Sequence, residues 1–177
     1  LDYTLQVAKG SASDPSEARN ALAGGSLPEV QLTPLSWDQR HTVNATVTYF
    51  SNGWGGSIIA QYGSGQPYTP RRSEDITSLL TNSEVKPSTI NVDLRLHREL
   101  KIGNLNTTIF LRVFNLFDIK NELGVYDDTG RAGFTTDEAR LRKTGVKEIV
   151  NTIKDWFTNP QNYSEPRRIE LGFIIDF

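Results

Sequence analysis

Cysteine is missing from all 177 residues, which excludes a disulfide framework and any thiolate metal site. Methionine is missing as well, and Leu1 is not followed by the charged and apolar run of a secretion leader. No apolar run approaches the roughly 18 residues of a membrane helix, so spanning by helices is excluded. Neither sign of charge prevails: 19 basic side chains stand against 21 acidic ones, the net charge is -2, and like charges form no block. A nucleic-acid partner is therefore not expected. Hydrophobic residues make up 37% of the chain, and mean hydropathy is -0.43. Both values resemble a soluble protein, but a barrel strand gives half its positions to a polar interior and carries a weak hydropathy signal.

What the sequence does contain is alternation. From Arg168 onward, Ile169, Leu171, Phe173, Ile175 and Phe177 alternate with Arg168, Glu170, Gly172, Ile174 and Asp176. A period of two predicts a strand with one apolar and one mostly polar face. That pattern over about ten residues fits a transmembrane barrel strand with lipid as its apolar partner; a soluble sandwich strand shares it. Five further segments read as strands. Residues 1–7 form the first. Residues 41–50 set Val43, Ala45, Val47 and Tyr49 opposite Thr42, Asn44, Thr46 and Thr48. Residues 54–62 put Trp54, Ile58, Ala60 and Tyr62 on one side; residues 89–100 alternate Ile90, Val92, Leu94 and Leu96 with Asn91, Asp93, Arg95 and His97. Residues 105–116 point Ile109, Leu111 and Val113 outward.

The links are of two kinds. Residues 51–53 and 101–104 are tight turns by composition, and Gly53, Gly55 and Gly56 read as turn glycines. Residues 8–36, 63–88 and 118–165 are long and polar. Short turns on one side and long loops on the other is the outer-membrane barrel arrangement, periplasm against outside. Tyr49, Trp54 and Phe177 then sit at periplasmic strand ends and Tyr62 near the outer end, where interface belts place aromatics; an ordinary core uses the same residues. The last loop carries the only helical signal. Thr135 and Glu138 have capping-box spacing, Val146, Ile149, Val150, Ile153, Trp156 and Phe157 form one stripe, and Asn159-Pro160 closes it. One short helix folded over the barrel rim is expected, with a docking face for a partner as the alternative.

The polar rows hold Asn91, Asp93, Arg95, His97, Arg112, Arg168, Glu170 and Asp176. Against a second sheet such charges would each be costly unless paired; against water or a polar plug they are tolerated. Arg112 is expected to pair across strands with Asp93 and Glu170. The apolar rows carry no charge at strand centres, where Lys or Arg would cost about 2–4 kcal/mol at a bilayer midplane. Single-chain barrels start at about eight strands, and open edges in lipid leave backbone groups unsatisfied. Since Leu1 to Val7 already lie inside an alternating pattern, the chain is expected to be the C-terminal part of a longer protein. A mature chain after signal cleavage is the alternative.

Particular residues carry a family resemblance. Arg112 to Asp118 closely resembles, through Asn115-Leu116-Phe117-Asp118, the N-L-F-D element on the penultimate strand of TonB-dependent outer-membrane receptors. Trp37-Asp38-Gln39-Arg40-His41 resembles that family's lead-in to a C-terminal strand, and Asp128-Thr129-Gly130-Arg131 the loop after N-L-F-D. The end, with Gly172, Phe173, Ile175 and Phe177, is similar to the signal read by the barrel-assembly machinery. The resemblance implies an all-β, antiparallel transmembrane barrel segment: residues 1–177 as about six C-terminal strands of a barrel of about 22, with a short helix in the last extracellular loop. It implies residence in a Gram-negative outer membrane and import of a scarce nutrient (siderophore, cobalamin, glycan or peptide). The partners implied are outer-membrane lipid, the barrel-assembly machinery, the protein's own plug domain and TonB, the last two acting through an N-terminal part not in this sequence, with a surface lipoprotein as a further partner. No cofactor is implied.

Residue chemistry points to no enzyme. His41 and His97 lie on different strands with no paired metal spacing, and no Ser–His–Asp arrangement can be defended. Gly63-Ser64-Gly65 lacks the lysine and the helix of a phosphate loop. Asp127-Asp128 and residues 14–17 read as solvated loop acids in preference to calcium ligands. Tyr68, Arg71 and Arg72 fall in an outer loop, as a ligand-facing group or as an exposed basic pair. Two other functions use the same pattern: a small outer-membrane barrel enzyme, and a structural or interaction β-protein of a surface complex.

Overall fold

Two tight turns organise the molecule, a computed structural model that describes residues 1–27, 30–71, 81–145, 147 and 150–176. Its strands are β1 (Asp2–Leu5), β2 (Lys9–Gly10), β3 (Thr33–Pro34), β4 (His41–Ser51), β5 (Trp54–Gly63), β6 (Pro67–Tyr68), β7 (Glu84–Val85), β8 (Thr89–Ile102), β9 (Leu105–Phe114) and β10 (Arg168–Asp176). Between β4 and β5, Asn52 and Gly53 take φ of 50° and 73°. Positive φ at both positions is the type I′ pattern, whose twist matches the strands it joins. Between β8 and β9, Gly103 takes φ 63°, which a side chain would resist.

Six strands form one antiparallel sheet in the order β1-β4-β5-β8-β9-β10. All six expected strands are present with modest shifts at their ends; the first stops at Leu5. The pairs β2–β3 and β6–β7 are separate two-stranded ribbons in the long loops.

Register brings the alternation of each strand into common rows. One row joins Val47, Ile58, Leu94, Val113 and Ile169; the next toward the turns joins Tyr49, Gly56, Leu96, Leu111 and Leu171. The other face carries Asp2, Asn44, Gln61 and Asn91 in one row and Arg95, Arg112 and Glu170 in another. A shift of one residue anywhere would mix the two sets.

Among the described residues no second layer covers the apolar face. The buried apolar side chains among the described residues are Ala8, Pro67, Pro70, Val113, Ala132 and Ile153, and of these only Val113 belongs to the six-stranded sheet. Val47 stays 67% exposed, Phe173 70% and Leu171 77%. The chain presents 12550 Å² of surface, against about 8,600 Å² for a compact monomer of its mass.

The loops differ from expectation in three places. Residues 8–36 contain a helix, α1 (Glu17–Ala23), so the last loop does not hold the only one. The segment is rich in Ala, Glu and Arg, strong helix formers, and Gly25 with φ 77° follows it. Among its described residues the last loop holds two short α-helices and a 3-10 turn at Pro160–Asn162, where one helix was expected. α2 (Thr136–Lys143) is capped by Thr135, whose hydroxyl accepts from the Asp137 N–H, while Glu138 pairs with Arg142 and makes no capping box. Gly145, at φ 70°, follows α2. α3 (Ile153–Trp156) starts afresh at a Thr152/Asp155 capping box. Ile153 is buried while Val150 and Trp156 are exposed, so these members of the expected stripe are not buried together; Val146 and Ile149 lie outside the described residues. Finally, Gly55 and Gly56 belong to β5 and not to the turn. A side chain at Gly55 would strike the His97 ring, and one at Gly56 would press on Leu96.

Candidate functional site

β8 outruns β9 at the loop end of the sheet, and the uncovered stretch is finished by the chain leaving β9. Asn115 and Asp118 take φ of 52° and 54°, a left-handed conformation that Asn and Asp tolerate. Buried Asn115 donates to the carbonyls of Ile119 and Glu165, both at 3.0 Å, and accepts from the Ile119 N–H at 2.9 Å. Its own N–H donates to Asp93 Oδ1 at 3.0 Å. Leu116 N–H bonds the Val92 carbonyl, and Asp118 Oδ1 accepts from the Arg167 N–H at 2.8 Å. Phe117 is exposed. The N-L-F-D residues are thus a corner that ties the exit of β9 to the approach to β10.

Asn121 completes the corner and was not singled out from sequence. Its Oδ1 accepts from the Ile90 N–H at 2.9 Å and its Nδ2 donates to the Ile90 carbonyl at 2.8 Å, imitating a neighbouring strand. Ser164 brackets it from the other side, with N–H to the Asn121 carbonyl and Oγ accepting from the Asn121 N–H. The only sequence signal is a second Asn six residues beyond the first.

Next to this corner the polar face forms a concavity of about 490 Å³ whose lining includes Gln39, Thr42, Asn44, Gln61, Asn91 and Asp93. Amides on neighbouring strands offer donors and acceptors side by side, suited to a polar, uncharged surface. Asp93 accepts from Asn91 and Asn115, so the expected Arg112–Asp93 pair is not made. Arg112 instead reaches Glu170 at 3.8 Å, as expected, lies over the Phe110 ring, and stands directly opposite Arg95. The two histidines lie apart: His41 Nδ1 meets the Tyr3 hydroxyl at 2.9 Å, and His97 stacks on Phe50 near the turns.

The W-D-Q-R-H segment is a second corner. Asp38, 1% exposed, accepts from the Ala8 N–H and from Arg40 Nε, both at 2.8 Å. Burial pushes its carboxyl up, and the Ala8 N–H, Arg40 and Lys9 outweigh burial, leaving it below the ordinary Asp range. The Gln39 amide lies over Gly63, where a side chain would strike it.

Farther out, Arg71 binds three carboxylates of the last loop: Asp137 at 2.6 Å, Asp127 at 3.3 Å and Asp128 at 3.8 Å. Tyr68 donates to Glu84 at 2.6 Å and lies against Gly130. Arg71 therefore joins the loop of residues 63–88 to the last loop; Arg72 lies outside the described residues. Asp128 accepts from Thr135 Oγ1 and the Thr136 N–H. Burial raises its carboxyl, and these donors bring it below the ordinary value. Glu122 is held low in the same way, burial being outweighed by Arg131 and the Ala132 N–H. Among the described residues no group of His, Asp or Glu is arranged to hold a metal ion.

At the terminal strand, Gly172 leaves room for the Phe110 ring on the polar face. Phe173 and Ile175 stand on the apolar face, in rows with Ile109 and Thr107; Phe177 lies outside the described residues. No protein-family model, curated protein or solved structure matches the chain.

Proposed function

We propose that this chain is part of the wall of a TonB-dependent outer-membrane receptor: about six of about 22 strands, ending in the closing strand. The parent protein imports a scarce nutrient, a siderophore, cobalamin, glycan or peptide, across a Gram-negative outer membrane. Substrate is taken up at outer loops and plug, and TonB moves the plug to open a path. The observation that carries this reading is the division of one sheet into an uncovered apolar face and an amide-rich, charged face. Lipid satisfies the first, and a polar plug or aqueous bore the second. Free edges at β1 and β10 accord with closure by strands supplied from elsewhere in the parent protein.

On this reading the loops hold position while the wall stays rigid, and the Arg71 contacts keep two outer loops together. The complete gene product, expressed in a Gram-negative host, is expected in the outer-membrane fraction and to migrate faster on gels before boiling than after. Recovery in the soluble fraction, with no heat-modifiable band, contradicts the proposal.

A further inference from the structure

Arg98 is the one Lys, Arg, Asp or Glu on the apolar face of the sheet among the described residues. Its row joins Trp54, Ile109 and Phe173, one step from the β4–β5 turn. The guanidinium lies 4.9 Å from the Trp54 ring centre, and Nη1 donates to the Asn52 carbonyl at 2.7 Å. One bond leaves most of the five N–H donors of an arginine for another acceptor. Beside it runs an apolar groove of about 300 Å³ lined by residues that include Tyr49, Trp54, Gly56, Ile58, Leu94 and Leu96. Leu96 lies across Gly56, where an added side chain would meet it, and the two together form the floor of the groove. Arg98 follows the lining residues Leu94 and Leu96 on the same face of β8 and pairs with Trp54, so a cation stands next beyond an apolar channel, which matches a molecule with an anionic head and an alkyl tail.

We infer that this groove and Arg98 bind one anionic glycerophospholipid of the periplasmic leaflet, its acyl chain over Gly56 and its phosphate at Arg98. The inference rests on the membrane reading above, which sets the turn end of the sheet at the periplasmic interface. Trp54 and Tyr49 would border the site at headgroup depth. One basic residue at a lipid surface enriches an anionic lipid about fivefold over a zwitterionic one.

The complete protein is placed in bilayer discs of equal phosphatidylglycerol and phosphatidylethanolamine, then released for native mass spectrometry to count retained lipids. The wild type is expected to retain phosphatidylglycerol about fivefold over phosphatidylethanolamine. Arg98→Gln loses the preference, Gly56→Ala weakens retention, and Arg95→Gln, on the other face, changes neither. Heat-modifiable migration of each variant verifies its folding. Equal retention of both lipids by the wild type, or a preference that survives Arg98→Gln, overturns the site and leaves the membrane reading standing. A protein that never enters the discs overturns both.

Discussion

Val47→Arg separates a lipid-facing sheet from a solvent-facing one. Val47 lies in the row of Ile58, which is four residues along β5 from both Trp54 and Tyr62. That spacing is on the order of 13 Å along a strand, so the row falls at the middle of a band bounded by aromatics. Within the chain Val47 is 67% exposed, which leaves a longer side chain a path to the surroundings. In water the substitution should therefore change stability by no more than about 0.5 kcal/mol. At a bilayer midplane the same arginine costs about 2–4 kcal/mol. The control is Thr46→Arg, one residue earlier on the opposite face and in the row of Asp93. The assay is denaturant titration of the complete protein folded into phospholipid vesicles, compared at equal lipid. The expected result is a loss of about 2–4 kcal/mol for Val47→Arg and little change for Thr46→Arg. Equal and negligible effects of both would refute the assignment of faces.

The other predictions concern the corners and loops. Asn121→Ala leaves the Ile90 N–H and carbonyl without their partner and should cost about 1–3 kcal/mol, read as a shift in the same titration; an unchanged midpoint dismisses the corner. Asn115→Ala should cost at least as much, because it also forces alanine to φ 52°, while Asn115→Gly removes the bonds without that strain and should cost less. The carboxyls of Asp38, Glu122 and Asp128 are held below their ordinary values. A depressed carboxyl contributes stability that is present above its unfolded value, about 4, and lost as pH falls through the folded value. The amides of Ala8, Ala132 and Thr136, the backbone donors to those carboxylates, should be protected from exchange at neutral pH and lose that protection in acid, although intrinsic exchange itself slows as pH falls. Exchange that follows the intrinsic trend alone would show that these carboxylates do not hold the loops. Gly172→Ala should destabilise β10 by displacing the Phe110 ring, and Phe110→Leu should recover part of the loss; additive effects in the double variant would contradict the ring contact.

Much of the sheet was legible because strand alternation and turn glycines are local signals. Asn52-Gly53 states its turn in two letters, and the six alternating runs then align by register. The elements that escaped depend on partners distant in sequence. Gly55 looks like a continuation of the turn until His97, on the neighbouring strand, lies across it. Strand adjacency alone pairs Asp93 with Arg112, but Arg112 stands opposite Arg95 and Asp93 Oδ1 accepts from the Asn115 N–H. Arg71 reads from sequence as ligand-facing or as one of an exposed basic pair, and carboxylates more than 50 residues away in fact engage it. α1 has no apolar stripe to announce it, since all its residues face outward or nearly so. Apolar spacing alone predicts one helix in the last loop, but Gly145 adopts a left-handed φ and Thr152 begins a new cap.

The division of faces can be measured residue by residue. Single cysteines carrying a nitroxide can be set at positions 43–49, within a segment that has no cysteine of its own, in the complete protein with any cysteine elsewhere replaced, and read for oxygen and for a water-soluble nickel complex in native membranes. Labels at Val43, Ala45, Val47 and Tyr49 are predicted to meet oxygen and exclude nickel, with the intervening positions lacking that lipid signature. Loss of the period of two, or apolar positions shielded from both reagents by protein, would contradict a sheet whose apolar face is solvated by lipid.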